Sequence, residues 1–597
     1  MNVRSARRPE AASRWRTARP AHELAREIAD GAGVSPVTAQ VLVNRGVTSV
    51  EDAERFLRPR LAHLEDPLGM AGMAEAASRI HEAVRRGERI LVFGDYDADG
   101  VTASALLHGL LGHFGADREV YLPSRMVEGY GLTPEAVKEI IRRGPGLVVT
   151  VDCGIRSPTE VARLREAGID TIVTDHHPPG DGIPDACAVV NPRRADCTYP
   201  FKDLAGVGVA FKLAWEVARR FSSAKRVSPA SREFLMDAMG LVALGTVADV
   251  VSLVGENRTL VAHGMVVLSA TERPGIAALL NVAGLDGGPL GARDLAFGLG
   301  PRLNAAGRMG SADKALELLL ESDPSRARAL ARELESANRE RRRIQGAVLE
   351  EAEGHPEVAL PERAAIVLDS ETWHQGVLGI VASRLAEKTG KPSALVSFDG
   401  DQGRGSARSA GGVDVASALE ACGEHLLGWG GHAKAAWVRL RRDALERFRD
   451  EFDLAVREQI SRGLPEPAIE LDGEMEPSDI RLELAEEIDS LEPFGEGNPR
   501  PVFAVRGVEL SGDVKPIGPG GRHLVFKVGS GRRSFRAVAF NFGERRGDLA
   551  RLAWKRVDVA FEFARSRYSG PAGFELHVRD LRPARAPGRE RRPGGPA

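Results

Sequence analysis

The stretch Leu91–Leu107 reads LVFGDYDADGVTASALL. An apolar run closes at Gly94, three aspartates alternate at Asp95, Asp97 and Asp99, and a helical pattern begins at the glycine beyond them. RILVFG (Arg89–Gly94) has the length and composition of a buried strand, and VTASALLHGLLGHFG has the periodicity of a helix. Carboxylates this close repel one another, and the cluster is costly unless a cation holds it.

The pattern recurs downstream. GLVVTVDCG is an apolar run ending in Asp152, GIDTIVTDHHPPG is one ending in Asp175-His176-His177, and ACAVVNP is a fourth. Strands alternating with helices predict a parallel sheet, in which ligands sit beyond the carboxyl ends of the strands. The three polar clusters fall at those ends, so positions near 95, 152 and 176 are expected to converge. REFLMDAMGLVALGTVADVVSL reads as an apolar helix that delivers Asp249. Asp97 and Asp99 can aim at neighbouring positions, Asp152 can bridge two ions, His176 adds an imidazole and Asp249 a further carboxylate. Such a mixed set suits Mn2+, with Mg2+ as the oxygen-loving substitute. Two ions about 4 Å apart are a standard device for phosphate-ester hydrolysis. Each piece alone has an ordinary reading: a solvated DxD loop, a helix cap at Asp152, surface polarity at DHH. Their coincidence at three successive strand ends does not.

The chain has 597 residues, enough for several domains, with 43% hydrophobic and 28% charged residues. Its formal net charge of -3 places any nucleic-acid surface in a local patch. No apolar run reaches the roughly 18 residues of a membrane span. The start, MNVRSARRPEAASRWRTARP, is basic but lacks the apolar core of a secretory signal. A cytoplasmic protein is expected, with an Arg-rich organelle presequence as the alternative. Cys153, Cys187, Cys197 and Cys422 form no CxxC pair and indicate neither zinc nor a disulfide framework.

Residues 1–70 read as a helical, partly flexible lead-in and 71–310 as the α/β domain just described. Ser325–Glu353 is one long charged helix of roughly 40 Å, either a connector within 311–360 or a surface helix of one domain. A second α/β pattern fills 361–462. Over 463–583, HLVFKVGSGRRSFRAVAFNF and VDVAFEFARSRYSGPAGFELHVRDLRP alternate around glycine turns, as in a small β-barrel. The tail 584–597 is rich in Pro, Gly and Arg and is expected to be disordered.

GDYDADG, TVDCG, TDHHPP and LGTVADVV resemble the four motifs of the DHH phosphoesterases, in order and at similar spacing. GPRLNAAGRMG, WHQGVLGIVASRL, GSARS, GGHAKAAW and EPFGEGNPRPVF resemble the branch of that family that degrades single-stranded DNA. The resemblance runs from about Arg14 to about Pro583. It implies an α/β, DHH-type parallel-sheet phosphoesterase domain, a long connecting helix, a second α/β, DHH-associated domain and a C-terminal OB-fold barrel. Carried over residue by residue, Asp97 and Asp99 fall on the first-motif metal ligands, Asp152 on the bridging carboxylate, His176 on the histidine ligand and Asp249 on the fourth-motif ligand. His177 would face the scissile phosphate as an electrophile, or protonate the leaving group. Many members carry a histidine four residues before the first ligand aspartate; Phe93 stands there. Asp95 is then a candidate ligand, or bonds outer-shell water.

The resemblance also marks substrate-gripping residues. GSARS offers Ser406 and Arg408, and RLNAAGR offers Arg302, Asn304 and Arg308. Some of these would cap the 5′ end of a strand, against the plainer reading of a surface salt bridge. His432 is a phosphate contact by analogy, and so is His374, whose plainer reading is a helix-start hydrogen bond. Trp437 stands where the family usually has glycine, either to stack on a base or to fill a local gap. In the barrel Arg522, Lys527, Arg532, Arg533 and Arg536 cluster with Phe526 and Phe535, as OB folds use basic grooves and stacking rings; a solvated face is the alternative. The implied activity is a processive 5′→3′ exonuclease on single-stranded DNA, with two Mn2+ or Mg2+ ions in a cleft too narrow for duplex, releasing 5′-mononucleotides in DNA repair and recombination. The implied partners are a helicase and a single-strand-binding protein, and the enzyme would be a monomer away from membranes. The alternatives are a DHH phosphodiesterase of short oligoribonucleotides or cyclic dinucleotides, and a catalytically inactive DNA-binding scaffold.

Overall fold

The computed structural model describes residues 14–124, 128–129, 131–180, 182–222, 226–464, 468–531, 533–566 and 573–584. The chain forms two compact units, Leu61–Glu466 and a second built from both ends, Met1–Arg60 with Pro467–Ala597. Among the described residues no helix is long and apolar enough to cross a membrane.

The first unit opens on a five-stranded parallel sheet. Its order is Arg118–Tyr121, Ile90–Gly94, Leu147–Val151, Asp170–Thr174, Ala188–Val190. Ile90–Gly94 and Leu147–Val151 are buried throughout, which is why they read as unbroken apolar runs. Alternation divides them between two cores. Ile90, Val92, Leu147 and Val149 join the core of helices Ala98–His113, Gly206–Phe221 and Pro229–Ala248. Leu91, Phe93, Val148 and Val173 join that of Pro134–Arg143 and Pro158–Glu166. From Ile90–Gly94 the chain crosses to one edge, then returns to build outward from the other side of that strand. The switch point lies between Ile90–Gly94 and Leu147–Val151, where such sheets open a crevice at their carboxyl ends.

Pro324–Glu353 is a single helix, capped by Asp323, which accepts from Arg326 N at 2.7 Å. Ala327, Leu330, Ala331 and Leu334 enter the first core, while Val348 and Ala352 enter the next domain. That decides for the connector over the surface helix. The domain it leads to has a mixed sheet ordered Leu426–His432, Ala435–Arg441, Gln402–Arg408, Ser393–Asp399, Ile366–Ser370. The last two strands pair in parallel and the rest antiparallel.

In the second unit Phe503–Ile517, His523–Ser530, Arg533–Ala539, Phe574–Pro583 and Arg556–Arg565 close into a five-stranded barrel, the first strand pairing with the last. Residues 1–70 are not a separate lead-in. Arg14–Thr17 pairs in parallel with Ala468–Leu471. Helices His22–Ala32, Pro36–Asn44 and Val50–Leu57 place Ile28, Leu42 and Ala53 in the same apolar cluster as Phe503 and Phe561, and Arg45 pairs with Asp472 at 2.7 Å. The segment divides at Arg60: Glu65 belongs to the other unit, where its carbonyl accepts from Lys212 Nζ at 2.8 Å. A short amphipathic helix shows that one face is buried but not against what, so this partnership is invisible in sequence. Of the tail expected to be disordered, Ala584 donates to Arg556 O at 3.0 Å, and 585–597 lie outside the described residues. Leu42→Ala, deleting a fully buried side chain from this shared cluster, is expected to cost about 2–5 kcal/mol. The loss should appear in urea denaturation of the full chain, and faster amide exchange in Phe503–Ile517 would locate it in the barrel.

Candidate metal centre

The loop after Ile90–Gly94 is shaped by unsatisfied donors at a helix start. Asp97 is the N-cap of Ala98–His113, its Oδ1 accepting from Asp99 N at 2.9 Å and Gly100 N at 3.1 Å. Asn304 Oδ1 takes the remaining donor, Ala98 N, at 2.8 Å. Asp99 reaches across to a second helix start and accepts from Gly206 N at 2.7 Å and Val207 N at 2.8 Å. Asp152 ends its strand at φ 60°, a left-handed conformation uncommon outside glycine. Asp249 closes helix Pro229–Ala248.

Asp175 is buried and organises the histidine pair. Its Oδ1 accepts from His176 N at 2.7 Å and His177 N at 3.0 Å, and lies 2.8 Å from His177 Nδ1; Oδ2 accepts from Ile155 N at 3.0 Å. His176 Nε2 stands 3.1 Å from Asp152 Oδ1 and 3.6 Å from Asp249 Oδ2, aligned for a hydrogen bond with neither. Three overlapping groups could each hold an ion: Asp95, Asp97 and Asp152; Asp99, His176 and Asp249; Asp152, His176 and His177. Within each group the ligand atoms lie within 4.8 Å of one another. The convergence expected of three strand ends is therefore present, with Asp249 arriving from a helix.

Burial, then the neighbouring Asp97, pushes the Asp99 carboxyl up to about 7. Burial and then Asp99 hold Asp152 and Asp249 well above the ordinary carboxylate range. His176 is pushed down to about 3 by burial and then by His177, so its imidazole is neutral, the form that ligates. Burial opposes charge on His177 as well, but the bond to Asp175 together with the charges of Asp175, Asp97 and Asp99 raises its pKa. Buried carboxylates that cannot ionise together, with a neutral imidazole aimed among them, fit a site for hard divalent cations such as Mn2+ or Mg2+.

Two glycines permit this density. A Cβ at Gly206 would stand 2.6 Å from Asp152 Oδ1, and one at Gly245 would stand 2.9 Å from Asp99 Oδ1. Gly206, Gly245 and the role of Asp175 were not singled out from sequence; only the D of DHH carried a signal. Phe93, in place of the family histidine, is buried against Tyr121 with ring centroids 5.3 Å apart and offers no ligand. Asp95 joins Asp97 and Asp152 instead.

The expected substrate contacts divide. Arg302 is committed inside the fold, with Nε 2.7 Å from Glu335 Oε2 of the long helix and Nη1 donating to Gly298 O at 2.5 Å. Asn304 holds the Asp97 loop, as above. Arg308 Nη1 donates to Gly376 O at 3.1 Å, joining the two domains of this unit. His374 Nδ1 accepts from Gly376 N at 3.1 Å, the helix-start bond that was its plainer reading. Arg408 Nη1 donates to Ser406 Oγ at 2.6 Å on one strand, and His432 ends the sheet's edge strand with its side chain exposed.

In the barrel Phe526 is 3% exposed and does not present a face for stacking, while Phe535 is half-buried against Phe574. Arg536 pairs with Glu575 at 2.9 Å and Arg533 donates to Ser478 O at 2.8 Å. Arg522 and Lys527 are exposed, and Arg532 lies outside the described residues. The exposed aromatic side chains of this unit, among the described residues, are Phe540 and Trp554.

Fold and site together define a DHH-family chain. The profile described as "DHH family, N-terminal domain" matches residues 89–246, "DHHA1 domain" matches 363–458 and "RecJ OB domain" matches 471–580. The single-stranded-DNA-specific exonuclease RecJ of Bacillus subtilis (strain 168) is 34% identical over 95% of this chain and 70% of its own length. The crystal structure of RecJ in complex with Mn2+ from Thermus thermophilus superposes with a TM-score of 0.81 at 34% identity, covering 96% of this chain and 80% of that one. Its Mg2+ complex gives 0.74 at 32% identity, covering 96% and 79%. The chain belongs to the RecJ family.

The raised carboxyls fix a pH dependence. In the metal-free protein the folded state holds protons on this cluster that the unfolded chain has released, so the cluster's contribution to stability is full below the ordinary value of 3.8 and is lost as pH rises past about 7. Thermal melts in EDTA from pH 5 to 8 should therefore show Asp99→Asn gaining on the wild type as pH rises. Added Mn2+ should stabilise the wild type increasingly over the same range and Asp99→Asn much less. Parallel profiles for the two proteins would contradict the assignment.

Proposed function

We propose that this chain hydrolyses single-stranded DNA from the 5′ end with two divalent ions, Mn2+ or Mg2+, releasing 5′-mononucleotides in DNA repair and recombination. The observation that carries this reading is the place of Asp152 in two overlapping ligand groups, where one carboxylate can serve two ions. Asp97 and Asp152, with Asp95, would hold one ion, and Asp99, His176 and Asp249 the other, with Asp152 shared through its second group with His176 and His177. Bound there, the ions would supply Lewis-acid stabilisation and an activated water for attack on phosphorus.

The protein's own groups do the rest. Asp175 engages His177 Nδ1 at 2.8 Å, which leaves Nε2 for a phosphate oxygen. The raised pKa favours a protonated ring, suited to stabilising a pentavalent phosphate or protonating the leaving oxygen. Ser406, Arg408 and His432 are the residues that would grip the strand, whereas Arg302 and Asn304 act as positioning residues. The barrel, with Arg522, Lys527, Phe540 and Trp554 exposed, would add affinity for longer strands. We infer a cytoplasmic enzyme that works as a monomer beside a helicase and a single-strand-binding protein, since a single-strand nuclease needs ends that are opened and kept open. An inactive scaffold is disfavoured because Asp97, Asp99, Asp152, His176 and Asp249 are all present and brought together. A short-oligonucleotide or cyclic-dinucleotide phosphodiesterase is disfavoured by the added barrel.

Purified chain with Mn2+ and a single-stranded oligonucleotide, labelled at either end, tests the reading. Labelled mononucleotide should appear at once from the 5′-labelled strand, with a shortening ladder from the 3′-labelled one. Asp152→Ala should lower turnover by on the order of 10³-fold or more while retaining DNA binding. Substantial residual turnover would remove Asp152 from the centre of the site. Asp175→Asn should lower kcat by roughly 10²-fold with KM little changed, and should move the alkaline limb of the pH–rate profile to lower pH, because His177 would lose its proton sooner.

A further inference from the structure

The sheet of the second domain has one face that its core does not use. Ala436, Val438 and Leu440 alternate into the core, so Ala435, Trp437 and Arg439 point the other way. Register carries this outer face across three strands. One row joins His432, Ala435 and Arg408; the next joins Gly430, Trp437 and Ser406; the third joins Gly428, Arg439 and Arg404. Helix Leu378–Thr389 packs over Leu395 and the Ser406–Arg408 end. It leaves Trp437 48% exposed, with Arg404 and Arg439 also exposed.

The indole lies flat on the neighbouring strand. A Cβ at Gly430 would stand 2.9 Å from its Nε1, and one at Gly428 would stand 3.5 Å from its Cη2. The two ends of the bicycle therefore rest on alternate glycines, with one ring face against backbone and the other towards solvent. Trp437 fills no interior gap. Beside it Arg439 and Arg404 sit directly opposite one another, two exposed guanidinium groups on one row. The first row carries the His432 imidazole, which partial desolvation, Arg408 and Lys434 hold below its ordinary value, with a smaller contribution from the charge of His177 beside the metal cluster. Successive rows are about 7 Å apart along the strand, the order of the distance between phosphates in an extended single strand.

We propose that Trp437 is a base-stacking platform for the strand whose end lies at the metal centre, with the Arg439–Arg404 pair taking a phosphate beyond it. This rests on the functional reading above and adds to it a residue that sets the strand's path. Stacking of a base on an aromatic ring is tolerant of sequence, so the platform would grip any nucleotide without selecting one.

The test uses the full chain and short single strands with one 2-aminopurine moved stepwise from the 5′ end. In EDTA, one position should be quenched by the wild type, keep its quenching with Trp437→Phe and lose it with Trp437→Ala. An abasic residue at that position should raise KM for hydrolysis roughly five- to tenfold in the wild type and not in Trp437→Ala, with kcat unchanged. An abasic penalty of equal size in both proteins, or a quenching profile that ignores Trp437, overturns the platform. If the wild type degrades single strands and Trp437→Ala does so with the same profile, the platform alone falls. If the wild type neither binds nor degrades them, the functional reading falls with it.

Discussion

Carboxylates withdrawn from water at the carboxyl ends of parallel strands set the terms for the rest of this structure. Asp95, Asp99 and Asp152 are each at most 3% exposed, and a buried charge is expensive unless donors or a cation meet it. The fold meets part of the cost with backbone. Two helix starts aim their free N–H groups at Asp97 and Asp99, where the helix dipole also favours negative charge. Glycines at 206 and 245 allow the helices to come that close. What backbone does not satisfy is left for cations, and His176 completes the set with an imidazole that burial keeps neutral.

This arrangement explains why several residues that look like substrate contacts are spent on architecture. The helix Gly300–Met309 carries RLNAAGR. Asn304 fastens it to the Asp97 loop, Arg302 fastens it to the long helix, and Arg308 fastens it to the turn at Gly376. The metal loop, the connector and the second domain thus meet on one helix. A displacement of that helix would disturb ligand geometry and strand grip together, so its polar residues serve the chemistry through position. The residues proposed to grip phosphate, Ser406, Arg408 and His432, lie instead on the second sheet.

Much of this was legible in the sequence, for definite physical reasons. A strand buried on both faces must be apolar throughout, so its end is visible as the first charge; that located Asp95, Asp152 and Asp175. Helical periodicity running into Asp249 marked the fourth contributor. The partner of a short amphipathic helix leaves no such trace, so residues 14–60 read as a lead-in although their apolar faces belong to the barrel cluster. Nor does residue type distinguish an arginine that grips phosphate from one paired inside, as Arg302 with Glu335 shows. In the barrel, strand alternation lets only some of the basic and aromatic residues share one face, and which ones do depends on a register that only the structure supplies. Phe526 and Phe535 prove to be inward or packed, and the exposed rings are elsewhere.

The departure at Phe93 makes the two halves of the centre chemically unequal. Strand alternation turns that side chain into the core beneath the sheet, against Tyr121, where an imidazole would be buried in apolar surroundings. Asp95, two residues on, is buried beside Asp97 and Asp152, so this half offers carboxylates alone while the other offers His176 among carboxylates. An all-oxygen set accepts Mg2+ and Mn2+ alike, whereas an imidazole ligand tilts its half towards Mn2+. A third buried carboxylate also deepens the repulsion that an ion must relieve, so the all-carboxylate half has more to gain from occupancy. Asp152, which groups with Asp95 and Asp97 and also with His176 and His177, would then couple the halves: an ion in one would lower the cost of ionising a carboxylate that the other also needs.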